Sequence, residues 1–297
     1  MTAPFRCSSA SLFRDEQLVG TASTVRAFLL VECPGPWGAD AVRENRLPAP
    51  VRAMLSRCAR QHRVRPLLIR RHGRRQGPGL RAFTAYVDRH GSRLETTHLD
   101  RPEDLLDLDL TGLATGGSAG LPPTDEPMFL VCTHGKHDVC CAERGRPVAL
   151  ALSKRFAEHT WEVSHIGGDR FAGNVLVLPD GLYYGRVSAR AAVRLADLHL
   201  AGELDLEHLR GRSSLPFAVQ AAEISLRREL GITGKDALSL RESVHQDRRT
   251  RAVFTAKRLA WQVTMEATEL SPQRLTCQAS RDNPAPTFRL VSIEPIG

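Results

Sequence analysis

The stretch CTHGKHDVCC packs Cys132, Cys140 and Cys141, three of the chain's seven cysteines, into ten residues, with His134 and His137 between them. Thiolates are soft ligands suited to zinc, copper(I) or iron–sulfur clusters. Further on, SHIGGDRFAGN carries His165 and Asp169 around the pair Gly167-Gly168. Two thiolates from one loop, Cys132 and Cys141, can take one iron of a [2Fe–2S] cluster. A second pair of ligands must then come from elsewhere, and a His-Ile-Gly-Gly-Asp turn after a strand is a source of one. Glycine suits that position because the backbone has to approach the cluster closely, where its N–H groups can bond the sulfurs.

Other chemistries compete for the same residues. Cys/His sets are common zinc ligands, although zinc favours shorter Cys-x2-4-Cys knuckles than the eight-residue gap between Cys132 and Cys141. A thiol–disulfide enzyme would use a Cys-x-x-Cys pair, which is absent, and a vicinal Cys140–Cys141 bridge would strain the intervening peptide. Glycoside hydrolysis needs two carboxylates across a sugar-sized cleft. Asp138, Glu143, Glu162 and Asp169 are available, but aromatics make up only 5% of the chain and form no sugar platform. Arg170, beside Asp169, is read as a surface or ion-paired residue that could also neutralise cluster charge.

The elements that would position these residues occur twice. AFLLVEC and MFLVC are short apolar strands ending on Cys33 and Cys132. Each precedes a helical pattern, in PAPVRAMLSRCARQH and in RPVALALSKRFAEH, with Pro147 expected near the first turn of the latter. Next comes a strand running into a loop at His72 or His165, and then a hairpin, turning at Arg89-His90-Gly91 or Pro179-Asp180-Gly181. The second copy closes with SARAAVRLADLHL, for which Ser188 is the N-cap. Two copies of β-α-β-β-β give an α/β fold, and a helix–strand mixture with a hairpin at the end of the sheet resembles a duplicated thioredoxin-like (ferredoxin-type) arrangement. Residues 1–110 form a degenerate first repeat, 111–124 a Gly/Pro/Thr-rich linker, 125–212 the metal-binding repeat and 213–297 a small C-terminal α+β module. In that module PFAVQAAEISLRREL is a helix with Pro216 at its start and Gly231 past its end. AWQVTMEATEL, RLTCQAS and TFRLVSIEP are strands, with Cys277 a buried thiol in the second of these.

Composition narrows the class. Apolar residues at 42% and charged residues at 25% describe an ordinary globular chain. No apolar run approaches the roughly eighteen residues of a membrane span, and the start lacks a secretory pattern. A cytoplasmic protein without membrane partners is expected. An odd number of cysteines in such a chain points to metal or redox use rather than a disulfide framework. The net charge is +8, and the basic run Arg70–Arg81 reads as a solvated loop that could attract an acidic protein partner. Nucleic acid is disfavoured, because no helix-turn-helix or aromatic stacking pattern accompanies the run.

The segments FLVCTHGKHDVCCAERGRPVALAL, WEVSHIGGDRFAGN, VLPDGLYYGRV and HLRGRSS together resemble the sucrase/ferredoxin-like family. The resemblance is strongest over 125–225. It implies a thioredoxin-like [2Fe–2S] ferredoxin domain in which Cys-x8-Cys and His-x-Gly-Gly-His hold the cluster. Carried onto this chain, Cys132, Cys141 and His165 match, whereas Asp169 stands where the family has its second histidine. The fourth ligand is then either the Asp169 carboxylate or, with Asp169 only accepting a hydrogen bond beside the cluster, Cys140, His134, His137 or a residue outside the motif. The resemblance further implies a redox carrier serving a protein partner rather than a stand-alone catalyst.

Overall fold

Ala27–Glu32 is apolar at five of six positions and buried along its whole length, the pattern of a strand covered on both faces. In the computed structural model, which describes residues 4–73 and 79–296, this segment is β1, and a short helix α1 (Cys7–Phe13) precedes it. After it come α2 (Ala49–Arg57), β2 (Arg65–Arg70), β3 (Leu80–Tyr86) and β4 (Arg93–Leu99). The same order then recurs in β5 (Met128–Cys132), α3 (Val139–Arg155), β6 (Thr160–Val163), β7 (Val175–Leu178) and β8 (Leu182–Tyr184). Helix α4 (Ala189–Leu200) and β9 (Leu209–Arg212) complete this part.

All nine strands join one sheet in the order β4-β3-β1-β2-β6-β5-β7-β8-β9. β1 is parallel to β2 and β5 to β6, while β3 and β7 flank them antiparallel. The halves meet through β2 and β6, paired antiparallel at Ile69↔Val163 and Arg70↔Glu162. The α/β class expected from the sequence holds, and both halves contribute their strands to a single nine-stranded sheet.

Within the Gly/Pro/Thr-rich stretch 111–124, Leu113 sits in the hydrophobic cluster of β1 and α2, as do Leu105 and Leu110 just before it. The Thr96 N–H also bonds the Pro122 carbonyl at 2.9 Å, so these contacts fasten the segment. Helix α3 begins earlier than its apolar periodicity suggests, because the Asp138 carboxylate accepts from the Cys140 N–H and caps it. Pro147 consequently lies inside the helix, and Cys140 and Cys141 occupy its first turn rather than a loop. Ser188 caps α4 as its type predicts, and the β7–β8 turn falls at Pro179-Asp180-Gly181.

Helix α5 (Phe217–Leu230) ends on Gly231 at φ 64°. It leads into an antiparallel sheet of β10 (Leu238–Gln246), β11 (Arg249–Ala256), β12 (Leu259–Gln273) and β13 (Asn283–Ile296). Val219 and Leu226 of α5 share one core with Phe254, Val263 and Met265 on one side and Val131, Val148 and Val177 on the other. RLTCQAS is not a strand. It lies in the connection between β12 and β13, where the Cys277 N–H is held by Asp138 at 2.7 Å, so Cys277 is half-buried in a turn.

Of the basic run, residues 74–78 lie outside the described residues. Arg70 and Arg71 are engaged rather than simply solvated: Arg70 pairs with Glu162, and Arg71 lies over the Trp161 ring at 3.7 Å. No helix among the described residues is long and apolar enough to cross a membrane.

Candidate metal centre

β5 and β6 are parallel neighbours, with Cys132 opposite Val163 at their carboxyl ends. Chain leaving the carboxyl ends of parallel strands is where α/β sheets place ligand sites. Cys132 is the last residue of β5. Cys141 comes back to it from the first turn of α3, whose N-terminal dipole favours negative charge. Gly145, one turn further along α3, lets the helix lie directly on the strand end: a Cβ there would run into the Cys132 carbonyl oxygen. His165 follows β6 by two residues, and Asp169 opens a short 3-10 turn.

The sulfur atoms of Cys132 and Cys141 and a ring nitrogen of His165 all lie within 4.8 Å of one another. Asp169 borders the same set, with Oδ1 3.1 Å from the Cys141 sulfur. It is also 2.9 Å from His165 Nδ1, though out of line for a hydrogen bond. His137 joins from the other side. Its ring stacks on His165 at 3.8 Å, and its Nε2 is 3.7 Å from Asp169 Oδ2. His134 is tied elsewhere, its Nε2 2.6 Å from the Gly38 carbonyl oxygen and its Nδ1 3.3 Å from the His165 amide nitrogen. Cys140 faces another group of residues altogether, made of Cys7, Asp138 and Cys277. It is therefore not placed to supply a fourth bond here.

Charge in the site is strongly polarised. The hydrogen bond from Cys141 holds the Cys132 thiol well below the usual range despite complete burial, and His165 adds to the effect. The same bond, together with burial, raises Cys141. Burial pulls His165 down, but Asp169 and Cys132 outweigh it and push the imidazole up to about 9. Burial would raise Asp169, yet its contacts with His165 and Cys141 bring it below the ordinary carboxylate value. A buried thiol and carboxyl, both shifted toward their anionic forms, thus converge on one place, the electrostatic setting of a cation site.

The loop bearing His165 is held at every carbonyl. Arg65 donates to the His165 oxygen at 3.0 Å, Ser23 to Ile166 at 3.0 Å, Arg210 to Gly167 at 2.9 Å and Asn174 to Gly168 at 2.8 Å. Gly167 and Gly168 have φ of +98° and +83°, the left-handed region where a side chain is strained. A Cβ at Gly168 would also meet the Arg210 guanidinium, so the pair serves loop geometry first. Sequence reasoning passed over Arg65, Ser23, Asn174 and Arg210. Their only signal is position in distant segments.

The carboxylates weighed for sugar hydrolysis are occupied otherwise. Asp138 caps α3, Glu143 pairs with Arg6 at 2.7 Å, Glu162 with Arg70 at 2.7 Å, and Asp169 with His165. Arg170 is ion-paired, its Nε 2.5 Å from Glu16.

The chain is 29% identical over 106 residues to the Altered inheritance of mitochondria protein 32 of Candida glabrata, covering 31% of this chain and 34% of that protein. To the protein of the same name from Meyerozyma guilliermondii it is 34% identical over 74 residues, covering 22% and 26%. The match thus spans about a third or less of the length of these relatives. A thioredoxin-like [2Fe–2S] ferredoxin from Aquifex aeolicus is similar to 31% of this chain over 97% of its own length, at 19% identity and a TM-score of 0.28. A model of the family described as sucrase/ferredoxin-like matches residues 18–211, about two thirds of the chain and all of the site just described, and the chain belongs to that family.

Proposed function

We propose that the protein is an electron carrier holding a [2Fe–2S] cluster, with Cys132 and Cys141 on one iron and His165 and Asp169 on the other, and passing single electrons to a protein partner. The observation that carries this reading is the gathering of two sulfurs and an imidazole from three segments within 4.8 Å. The donor chemistry fits: two soft sulfurs, an imidazole nitrogen and a carboxylate meet in one place, with Asp169 Oδ1 against the Cys141 sulfur. When bound, the cluster supplies a one-electron couple whose potential depends on ligand charge and solvent access.

The protein's own residues would insulate and present it. Cys132 and Cys141 are each 1% exposed, so the sulfur side is closed to water. The side chains of His165 and His137 are 25% and 37% exposed and make that edge the face for a partner. The net charge of +8 suits an acidic partner.

The contact between a Cys132 thiol held low and a Cys141 thiol held high favours one competing reading, a reversible dithiol. A zinc ion would also accept this ligand set. Anaerobic purification with iron, sulfide and zinc quantitation separates the three. The expected result is about two irons and two sulfides per chain with a reddish-brown colour. The paramagnetic signal of the reduced protein should disappear in Cys141→Ser and His165→Ala. Iron-free, colourless protein after anaerobic reconstitution sinks the proposal.

A further inference from the structure

Cys140 and Cys141 are neighbours in the first turn of α3, and successive helix positions point roughly 100° apart. They consequently serve different places. Cys140 meets Cys7 of α1 and Cys277 of the β12–β13 connection, and the three sulfurs and a carboxylate oxygen of Asp138 lie within 4.8 Å of one another. The Cys140 and Cys277 sulfurs are 3.4 Å apart, and those of Cys277 and Cys7 are 3.6 Å apart. Those separations far exceed the roughly 2.05 Å of a disulfide. They approach the roughly 3.8 Å between sulfurs bound at about 2.3 Å around one tetrahedral ion.

The surroundings suit a cation. Asp138 is buried and held in place by the Cys140 N–H at 2.9 Å and the Cys277 N–H at 2.7 Å. Its oxygens lie 3.6 and 3.7 Å from the Cys7 sulfur. Ser8 lies beside Cys140, and its buried hydroxyl, which has no other hydrogen-bond partner, would donate to a thiolate there.

We propose that Cys7, Cys140 and Cys277 bind a divalent cation of the zinc class, with Asp138 closing the fourth position. Three thiolates and a carboxylate select zinc over magnesium or calcium, which prefer all-oxygen shells. Each thiol that binds gives up its proton to solvent, and no electron is transferred. The ligands lie near the two ends of the chain and in its middle, so the ion closes loops that are costly in entropy and fastens both terminal regions to α3. The site shares a helix turn with the candidate cluster but no ligand, so either can exist without the other.

The test is metal content in protein produced in zinc-replete medium and purified anaerobically with thiols reduced, with iron counted separately. Wild type is compared with Cys277→Ser, whose target is half-buried in a turn, and with Cys58→Ser, a buried thiol beside Met54 outside this group. About one zinc per chain is expected in wild type and in Cys58→Ser, falling at least about tenfold in Cys277→Ser while iron content stays at the wild-type level. Cobalt(II) incorporated into the wild type should show thiolate charge-transfer and tetrahedral ligand-field absorption, which Cys277→Ser lacks. Zinc well below stoichiometry in the wild type overturns the assignment. So does unchanged zinc in Cys277→Ser, which would place the ion at Cys132 and Cys141, or a disulfide joining Cys277 to Cys7 or Cys140 in the anaerobic protein.

Discussion

The imidazole rings of His137 and His165 stack with centroids 3.8 Å apart and planes 26° from parallel, and both face the carboxylate of Asp169. Position 169 is therefore the hub of the exposed half of the site. If Asp169 is a ligand, Asp169→His restores the family's His-x-Gly-Gly-His pattern and exchanges an anionic ligand for a neutral one. Iron and sulfide content should be retained and the reduction potential raised by on the order of 100 mV, since histidine ligation lifts cluster potentials. Potentiometric titration followed by paramagnetic resonance checks this. An unchanged or lower potential would remove Asp169 from the ligand set.

Arg210 is 1% exposed and joins four acceptors: the Gly167 and Thr21 carbonyls, Asn174 Oδ1 and Thr21 Oγ1. Burial lowers its guanidinium to about 10, which leaves it charged near neutrality. Arg210→Met keeps the bulk and strands those acceptors in the interior, at a cost of about 3 kcal/mol. Urea unfolding measures the loss. The variant should also bind iron poorly, because the His165 loop loses its brace. Wild-type stability would show that water replaces the side chain without penalty.

Asp180, in the β7–β8 turn, lies 3.3 Å from His199 Nε2 and 3.0 Å from Lys235 Nζ. Burial alone would raise its carboxyl, but His199 and Lys235 prevail and bring it down to about 2, against about 3.9 in an unfolded chain. A depressed folded-state value contributes stability that is complete above the unfolded pKa and lost as pH falls toward the folded one. The stability gap between wild type and Asp180→Asn should therefore narrow by about 1 kcal/mol from about pH 5 to about pH 3. A gap that does not change with pH would mean the carboxylate is not stabilised by these partners.

Glu162 binds across the β2–β6 seam. It accepts from Arg70 Nε at 2.9 Å and Nη2 at 2.7 Å and from Thr133 Oγ1 at 2.7 Å, and its other oxygen lies 2.7 Å from His72 Nδ1. These partners keep the carboxyl below its ordinary value although burial opposes them. Glu162→Ala leaves a partly buried cation unpaired and should cost about 3 kcal/mol, seen in denaturant unfolding. A loss under about 1 kcal/mol would show that the backbone pairing of β2 with β6 holds the seam unaided.

What could be read from the sequence alone is what local chemistry sets. The Cys-x8-Cys spacing and the His-Ile-Gly-Gly-Asp turn marked the site, the cap at Ser188 and the stop at Gly231 bounded their helices, and Pro179-Asp180-Gly181 located a hairpin turn. Each such signal acts within a few residues, where backbone dihedrals and nearest hydrogen bonds decide. Tertiary structure decided the rest. It sent Cys140 to Cys7 and Cys277, folded Leu113 of the apparent linker into the core beside Leu105 and Leu110, and braced the His165 loop with Arg65, Ser23 and Arg210. Those partners lie up to 270 residues apart in the chain. They meet because burying apolar surface brings distant segments together, and no periodicity or spacing along the sequence records which polar groups arrive with them.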